Sequence, residues 1–242
     1  MRRMVFLAGA AAAVAGATVL VGRSRGATSA GVPGVLPGRL RSWVYAYLNR
    51  LFHAGMARAI DLQPGDDLLD VACGAGVFLT EHASHVGRVA GVDLSEPQVG
   101  LARRRLADRI AAGTAEIKQG DAGALPWEDG RFTAVTCIGA FAFFPDAERA
   151  LAEMCRVLRP GGRIVVDVCP KVPEGTESHR ARGPRGPSWR WNETDVRRMT
   201  EAAGFDDVAI TYVRFYGSLG SLLSRLVSVP DEETIVAAVK PA

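Results

Sequence analysis

Cysteine is scarce in this 242-residue chain, with four residues at 73, 137, 155 and 169, and they are far apart. There is no C-x-x-C pair and no histidine at metal-ligand spacing beside them, which excludes a zinc ribbon and a disulfide framework. No metal site is expected, and buried reduced thiols are the plain reading. Histidine is equally sparse: His53, His82, His85 and His179 stand alone, and surface or structural roles suit each. Acids are missing from residues 1–41, which carry six arginines (2, 3, 23, 25, 39 and 41). Setting those six aside leaves 23 basic against 26 acidic residues, so a net charge of +3 becomes about −3 for the body. A slightly acidic body speaks against a nucleic-acid partner. No internal repeat is visible. With 48% hydrophobic and 23% charged residues, the length suits one substantial domain rather than two.

The longest uncharged run is at residues 4–22: 19 residues, seven of them alanine and three glycine, with Arg2 and Arg3 before it and Arg23 and Arg25 after. That length just spans a bilayer core. Three readings compete: a signal anchor, a cleaved or twin-arginine-like export signal, and a dispensable or mis-assigned leader. The anchor is the preferred expectation. It implies membrane association through residues 4–22 with the body of the chain in the cytoplasm, the other choice being a plainly cytoplasmic protein. Residues 1–25 then form the hydrophobic N-terminal segment. Residues 26–38, small and rich in glycine and proline, form a linker, and 39–242 the main domain.

In the body, apolar residues at 40, 44, 47, 48, 51 and 52 recur at helical spacing and predict a helix over 39–60. Strands are predicted at 67–72, 88–94, 116–119, 133–138 and 163–168, with helices after residue 73, at 96–112 and at 147–158. This alternation specifies an α/β fold, a mostly parallel sheet with helices on both faces. Two further strands, 208–216 and 234–239, have no crossover helix between them and read as a closing antiparallel pair.

The strongest local signal is Leu68-Leu69-Asp70-Val71-Ala72-Cys73-Gly74-Ala75-Gly76, an apolar strand running into a turn of small residues. Small residues are needed where backbone approaches a ligand closely. Gly91-Val92-Asp93-Leu94-Ser95 closes the second strand with an acid 19 residues after Gly74, the spacing at which a carboxylate meets ribose hydroxyls. Gly120-Asp121-Ala122 sets another acid at the carboxyl edge, where open α/β sheets bind ligands.

The set DVACGAG, GVDLS, GDAGALPWEDGRF and RVLRPGG resembles the class I S-adenosylmethionine-dependent methyltransferases of the UbiE/Coq5-like group, over roughly residues 62–238. The resemblance implies a Rossmann-like, seven-stranded sheet of order 3-2-1-4-5-7-6 with its last strand antiparallel. It implies S-adenosyl-L-methionine as cofactor. Asp70, Ala72, Gly74 and Gly76 would line its methionine end and Asp93 would bind the ribose diol. Leu94 would pack on adenine, Asp121 and the Ala122 backbone would read the adenine edge, and Cys137 would sit under the cofactor. Ala72 stands where the family has its first glycine.

A nicotinamide-dependent Rossmann oxidoreductase is the competing reading, disfavoured because Leu79 occupies the third glycine of G-x-G-x-x-G. A protein that binds the cofactor without turnover is the other. Methyl transfer from a sulfonium needs alignment and exclusion of water more than a proton-moving side chain. Phenylalanines fill the stretch after the fourth strand (141, 143, 144), where many relatives carry histidine, so no catalytic residue is nominated. Nucleic-acid methyltransferases need an Asn/Asp-Pro-Pro-Tyr/Phe or Pro-Cys turn there, and neither is present. The expected acceptor is a small, hydrophobic or amphiphilic molecule, contacted by the 39–60 helix, the phenylalanine cluster, the 170–191 loop with Trp189 and Trp191, and the apolar stretch 217–229.

Overall fold

A computed structural model describes residues 38–168, 172, 175–183, 186–213 and 233–242. In chain order the elements are α1 (Gly38–Ala59), β1 (Asp67–Val71), α2 (Val77–His82), β2 (Arg88–Asp93), α3 (Glu96–Arg105), α4 (Ala107–Ala111), β3 (Ala115–Gln119), β4 (Phe132–Cys137), α5 (Ala147–Val157) and β5 (Leu158–Asp167). There follow β6 (His179–Gly183), β7 (Gly186–Arg190), α6 (Glu193–Ala202), β8 (Asp206–Val213) and β9 (Glu233–Val239). The main sheet runs β3-β2-β1-β4-β5-β9-β8. Strands β1 to β5 pair parallel, and β9 lies antiparallel to both β5 and β8. With the separate β6–β7 hairpin set aside, this is the expected 3-2-1-4-5-7-6 order with helices on both faces.

Period-two alternation of the strands divides the core in two. Leu68 of β1, Val89 of β2 and Ala134 of β4 face Met56, Ile60, Phe78 and Val99 on one side. Their sequence neighbours Leu69, Ala90 and Val135 face Leu151, Met154 and Met199 on the other. Every central strand is buried on both faces, which is why each reads as an almost unbroken apolar run.

Four local expectations are revised. The helix expected over 96–112 breaks at Leu106 (φ −104°, ψ 15°), which turns inward and is buried. The 170–191 stretch holds the β6–β7 hairpin. Helix α6 follows it, with Asn192 as N-cap accepting from the Asp195 N–H at 2.7 Å. β5 begins at Leu158 rather than 163, because Gly161 N–H donates to the Lys240 carbonyl and Lys240 N–H to the Gly162 carbonyl.

The membrane expectation is corrected. Among the described residues no helix is long and apolar enough to cross a bilayer. The longest, α1, has 22 residues but contains Arg50, His53 and Arg58, whose burial in hydrocarbon would be costly. Membrane association and the membrane-anchored location are therefore withdrawn. Residues 4–22, on which both were placed, lie outside the described residues, as does 217–229.

Candidate cofactor and acceptor site

All the sequence-nominated residues fall at the carboxyl ends of β1 to β4. The turn leaving β1 is tight: Ala72 (φ 59°) and Gly74 (φ 51°) both adopt left-handed backbone. The turn is held by Cys73 N–H donating to the Val92 carbonyl and Gly76 N–H to the Cys73 carbonyl, each at 2.9 Å. A Cβ on Gly74 would meet only Gln98 Oε1, at 4.0 Å, so this face of the turn is open. A Cβ on Gly76, by contrast, would stand 3.0 Å from the Ala102 methyl, and the turn is clamped onto α3 there. Ala72 carries the left-handed strain that glycine would avoid, roughly 1–2 kcal/mol, partly offset by the entropy a glycine loses on folding. Ala72→Gly is therefore expected to raise unfolding free energy by about 0.5–1 kcal/mol, read as a higher urea midpoint with unchanged slope.

Asp93 ends β2 and binds the turn. Its Oδ2 accepts the Gly74 N–H at 2.8 Å and its Oδ1 the Ser95 N–H at 2.9 Å. An ionised carboxylate offers about four acceptor positions, so two remain for other donors. Leu94 beside it is 71% exposed, a large apolar side chain left uncovered at the rim. Its carbonyl accepts from Gln119 Nε2 at 3.1 Å.

After β3, Gly120 N–H donates to the Asp93 carbonyl at 3.1 Å and joins the two turns. Asp121 is exposed, and its Oδ1 accepts the Gly123 N–H at 2.9 Å. Ala122 packs half-buried against the core.

Asp70 is buried, with one oxygen accepting the Thr136 hydroxyl at 2.9 Å. Burial pushes its carboxyl up to about 7, against the Thr136 bond, and the negative charge of Asp93 adds to the rise. Cys137 is fully buried in the core at the end of β4. Burial and the carboxylates of Asp70 and Asp167 push its thiol well up, so it stays a thiol.

One rim carboxylate was not nominated from the sequence. Asp167, the last residue of β5, is buried, and its Oδ2 accepts the Gly139 N–H at 2.9 Å. Gly139 (φ 69°) opens the turn that carries Phe141 and Phe144, whose rings meet edge-on at 5.8 Å. Asp167 thus fixes the phenylalanine turn from the neighbouring strand. The signal was legible: β5 ends in an acid, as β2 does. His179, on β6, is exposed, with Nδ1 3.0 Å from the Glu177 carbonyl. A shallow cavity lined by Asp67, Arg88, Glu116 and Arg131 lies at the opposite, amino end of the strands, away from every group above.

A family described as "Methyltransferase domain" matches residues 69–166. The chain is 34% identical over 165 residues to nocamycin O-methyltransferase of Saccharothrix syringae, covering 67% of this chain and 55% of that protein. It is 40% identical over 144 residues to demethylmenaquinone methyltransferase of Thermus thermophilus, covering 54% of this chain and 63% of the relative. The chain thus spans less than two thirds of the length of these curated relatives. Among solved structures, the [4+2]-cyclase SpnF superposes with a TM-score of 0.65 at 23% identity, covering 79% of this chain and 81% of that one. At that identity the likeness is one of fold, and SpnF is by its name a cyclase, so the chemistry must be argued from the site. The domain match, the strand order and the glycine turn with its facing acids agree: residues 69–166 match the methyltransferase domain, the sheet has the class I S-adenosylmethionine-dependent methyltransferase order, and the sequence is similar to that of the demethylmenaquinone methyltransferases.

Proposed function

We propose that the chain transfers a methyl group from S-adenosyl-L-methionine to a small hydrophobic or amphiphilic acceptor. One observation supports this most directly: the Asp93 carboxylate is bonded to the open Gly74 turn, with the uncovered Leu94 side chain beside it. A nucleoside fits that arrangement. Asp93 has acceptor positions left for two ribose hydroxyls, Leu94 offers apolar surface to a base, and Gly74 leaves room where a side chain would intrude. Asp121 and the Ala122 backbone would meet the adenine edge. Asp70, Ala72, Gly74 and Gly76 would surround the methionine end, with Cys137 beneath as a packing group.

The bound cofactor supplies an already activated methyl electrophile, so the chain's part is to orient the acceptor and keep water out. Phe141 and Phe144, held by Asp167 through Gly139, form an apolar wall suited to both tasks. An acceptor of quinol type suits such a wall, and the name of the Thermus thermophilus relative points the same way. The oxidoreductase alternative has no support. Leu79, where a third glycine would be needed, is fully buried, and a Cβ on Gly91 would come within 2.8 Å of its Cδ1. Calorimetry tests the reading. S-adenosylhomocysteine is expected to bind with a 1:1 stoichiometry and NADH not to bind; the reverse would overturn the assignment.

A further inference from the structure

We infer that Trp191 selects the acceptor: its indole N–H is the donor for an oxygen on a planar aromatic molecule, which rests against the Trp189–Trp191 hairpin. The inference rests on the methyltransferase reading and concerns only its acceptor side.

Residues two apart on a strand share a face, and the rings of Trp189 and Trp191 stack at 4.5 Å with 17° between their planes. Arg180, opposite Trp189 in the hairpin register, sets its guanidinium 5.7 Å from the Trp189 ring. The result is a cation over the Trp189 ring, which is itself stacked on Trp191.

Both ends of the hairpin are tied to the start of α6. Ser178 Oγ is bonded to Asp195 and accepts the Asn192 N–H at 2.9 Å, while Asn192 Nδ2 donates to the Thr176 carbonyl at 3.2 Å. β7 lies against the Phe141–Phe143 turn, the turn Asp167 fixes at the carboxyl end of β4. Trp191 packs against the core cluster to which Phe141 belongs and on which Phe144 also packs. The hairpin therefore adjoins the apolar wall proposed to face the acceptor.

The decisive observation is polar. Trp191 Nε1 is buried and has no hydrogen-bond partner among the described residues. Trp127 shows the ordinary arrangement, its Nε1 donating to Glu116 Oε2 at 2.9 Å. A buried N–H left unpaired is unfavourable and calls for an explanation; at Trp191, beside the apolar wall, an oxygen of the acceptor supplies one. Because the indole N–H lies in the plane of its ring, a phenol, quinol or carbonyl oxygen meets it at the indole's edge, with the attached flat ring packed against the hairpin's aromatic side chains. An aliphatic acceptor uses neither.

The test uses the full chain saturated with S-adenosylhomocysteine and two matched probes, 2-acetylnaphthalene and 2-ethylnaphthalene. The wild type is expected to prefer the ketone by roughly five- to tenfold. Trp191→Phe, which keeps an aromatic ring and drops the donor, should abolish that preference, with the smaller ring costing both probes alike. Trp189→Ala should weaken both probes alike. In the wild type, the Trp191 indole N–H proton resonance should move downfield with the ketone only, a reading that needs no variant. A preference that survives in Trp191→Phe, an unmoved resonance, or no binding of either probe overturns the inference. Loss of S-adenosylhomocysteine binding by the wild type would instead defeat the methyltransferase reading itself.

Discussion

Asp93→Ala is expected to weaken S-adenosylhomocysteine binding by about 1–3 kcal/mol, the usual cost of leaving paired polar groups without partners. The effect has two sources. The ribose hydroxyls lose their acceptor, and the Gly74 and Ser95 N–H groups lose the carboxylate that aligns the turn. Asp93→Asn separates them, because an amide keeps one acceptor oxygen but turns an NH₂ toward a backbone donor. Its loss should fall between wild type and alanine. Titration calorimetry at neutral pH reads the affinity, and a urea melt of the ligand-free protein reads the stability of the turn. Unchanged affinity in Asp93→Ala removes Asp93 from the ribose site, however destabilised the variant is.

The central strands were legible because they are buried on both faces and bounded by turn residues, while their order came from the family resemblance. Leu68 to Val71 and Val89 to Val92 could hardly be anything but central parallel strands. The rim acids were legible for a related reason, since a carboxylate at the end of an apolar strand has no place in a core. The same rule covers Asp167, the acid that ends β5. The β6–β7 hairpin was hidden by its own turn chemistry: Arg182-Gly183-Pro184-Arg185-Gly186-Pro187 carries so many loop signals that two short strands around it leave no alternation to see. α6 was missed because ten residues with three buried positions, Val196, Met199 and Thr200, make a weak helical pattern. The break at Leu106 is set by tertiary packing, which local spacing does not encode. The membrane reading failed differently, by treating an apolar run as a destination.

The buried carboxyl of Asp70 makes stability fall as pH rises, and Asp70→Asn should remove that dependence. In the unfolded chain the group ionises near its ordinary value of 3.8, whereas in the fold burial holds it to about 7. Below pH 4 it is neutral in both states and costs nothing. Between about 4 and 7 the unfolded state sheds its proton while the folded state keeps it, and stability drains away over that window. Above 7 the full penalty is present, on the order of a few kcal/mol. Asp66 works with the opposite sign. Burial alone would raise its carboxyl, but the Gln63 N–H, the Thr133 hydroxyl and Arg163 hold it below the usual range. Its contribution is present above the unfolded pKa and lost as pH falls. Asparagine at 70 stays neutral and still accepts the Thr136 hydroxyl. The variant should therefore gain on wild type from pH 5 to pH 8 in urea midpoints, and parallel curves would count against the raised carboxyl. If Asp70 also meets the methionine ammonium, as proposed, cofactor binding must ionise it. Near pH 6 the wild type should then release protons on taking up S-adenosylhomocysteine, seen as a binding heat that varies with the buffer's ionisation enthalpy. Asp70→Asn should release fewer, and equal release would place the ammonium elsewhere on the rim.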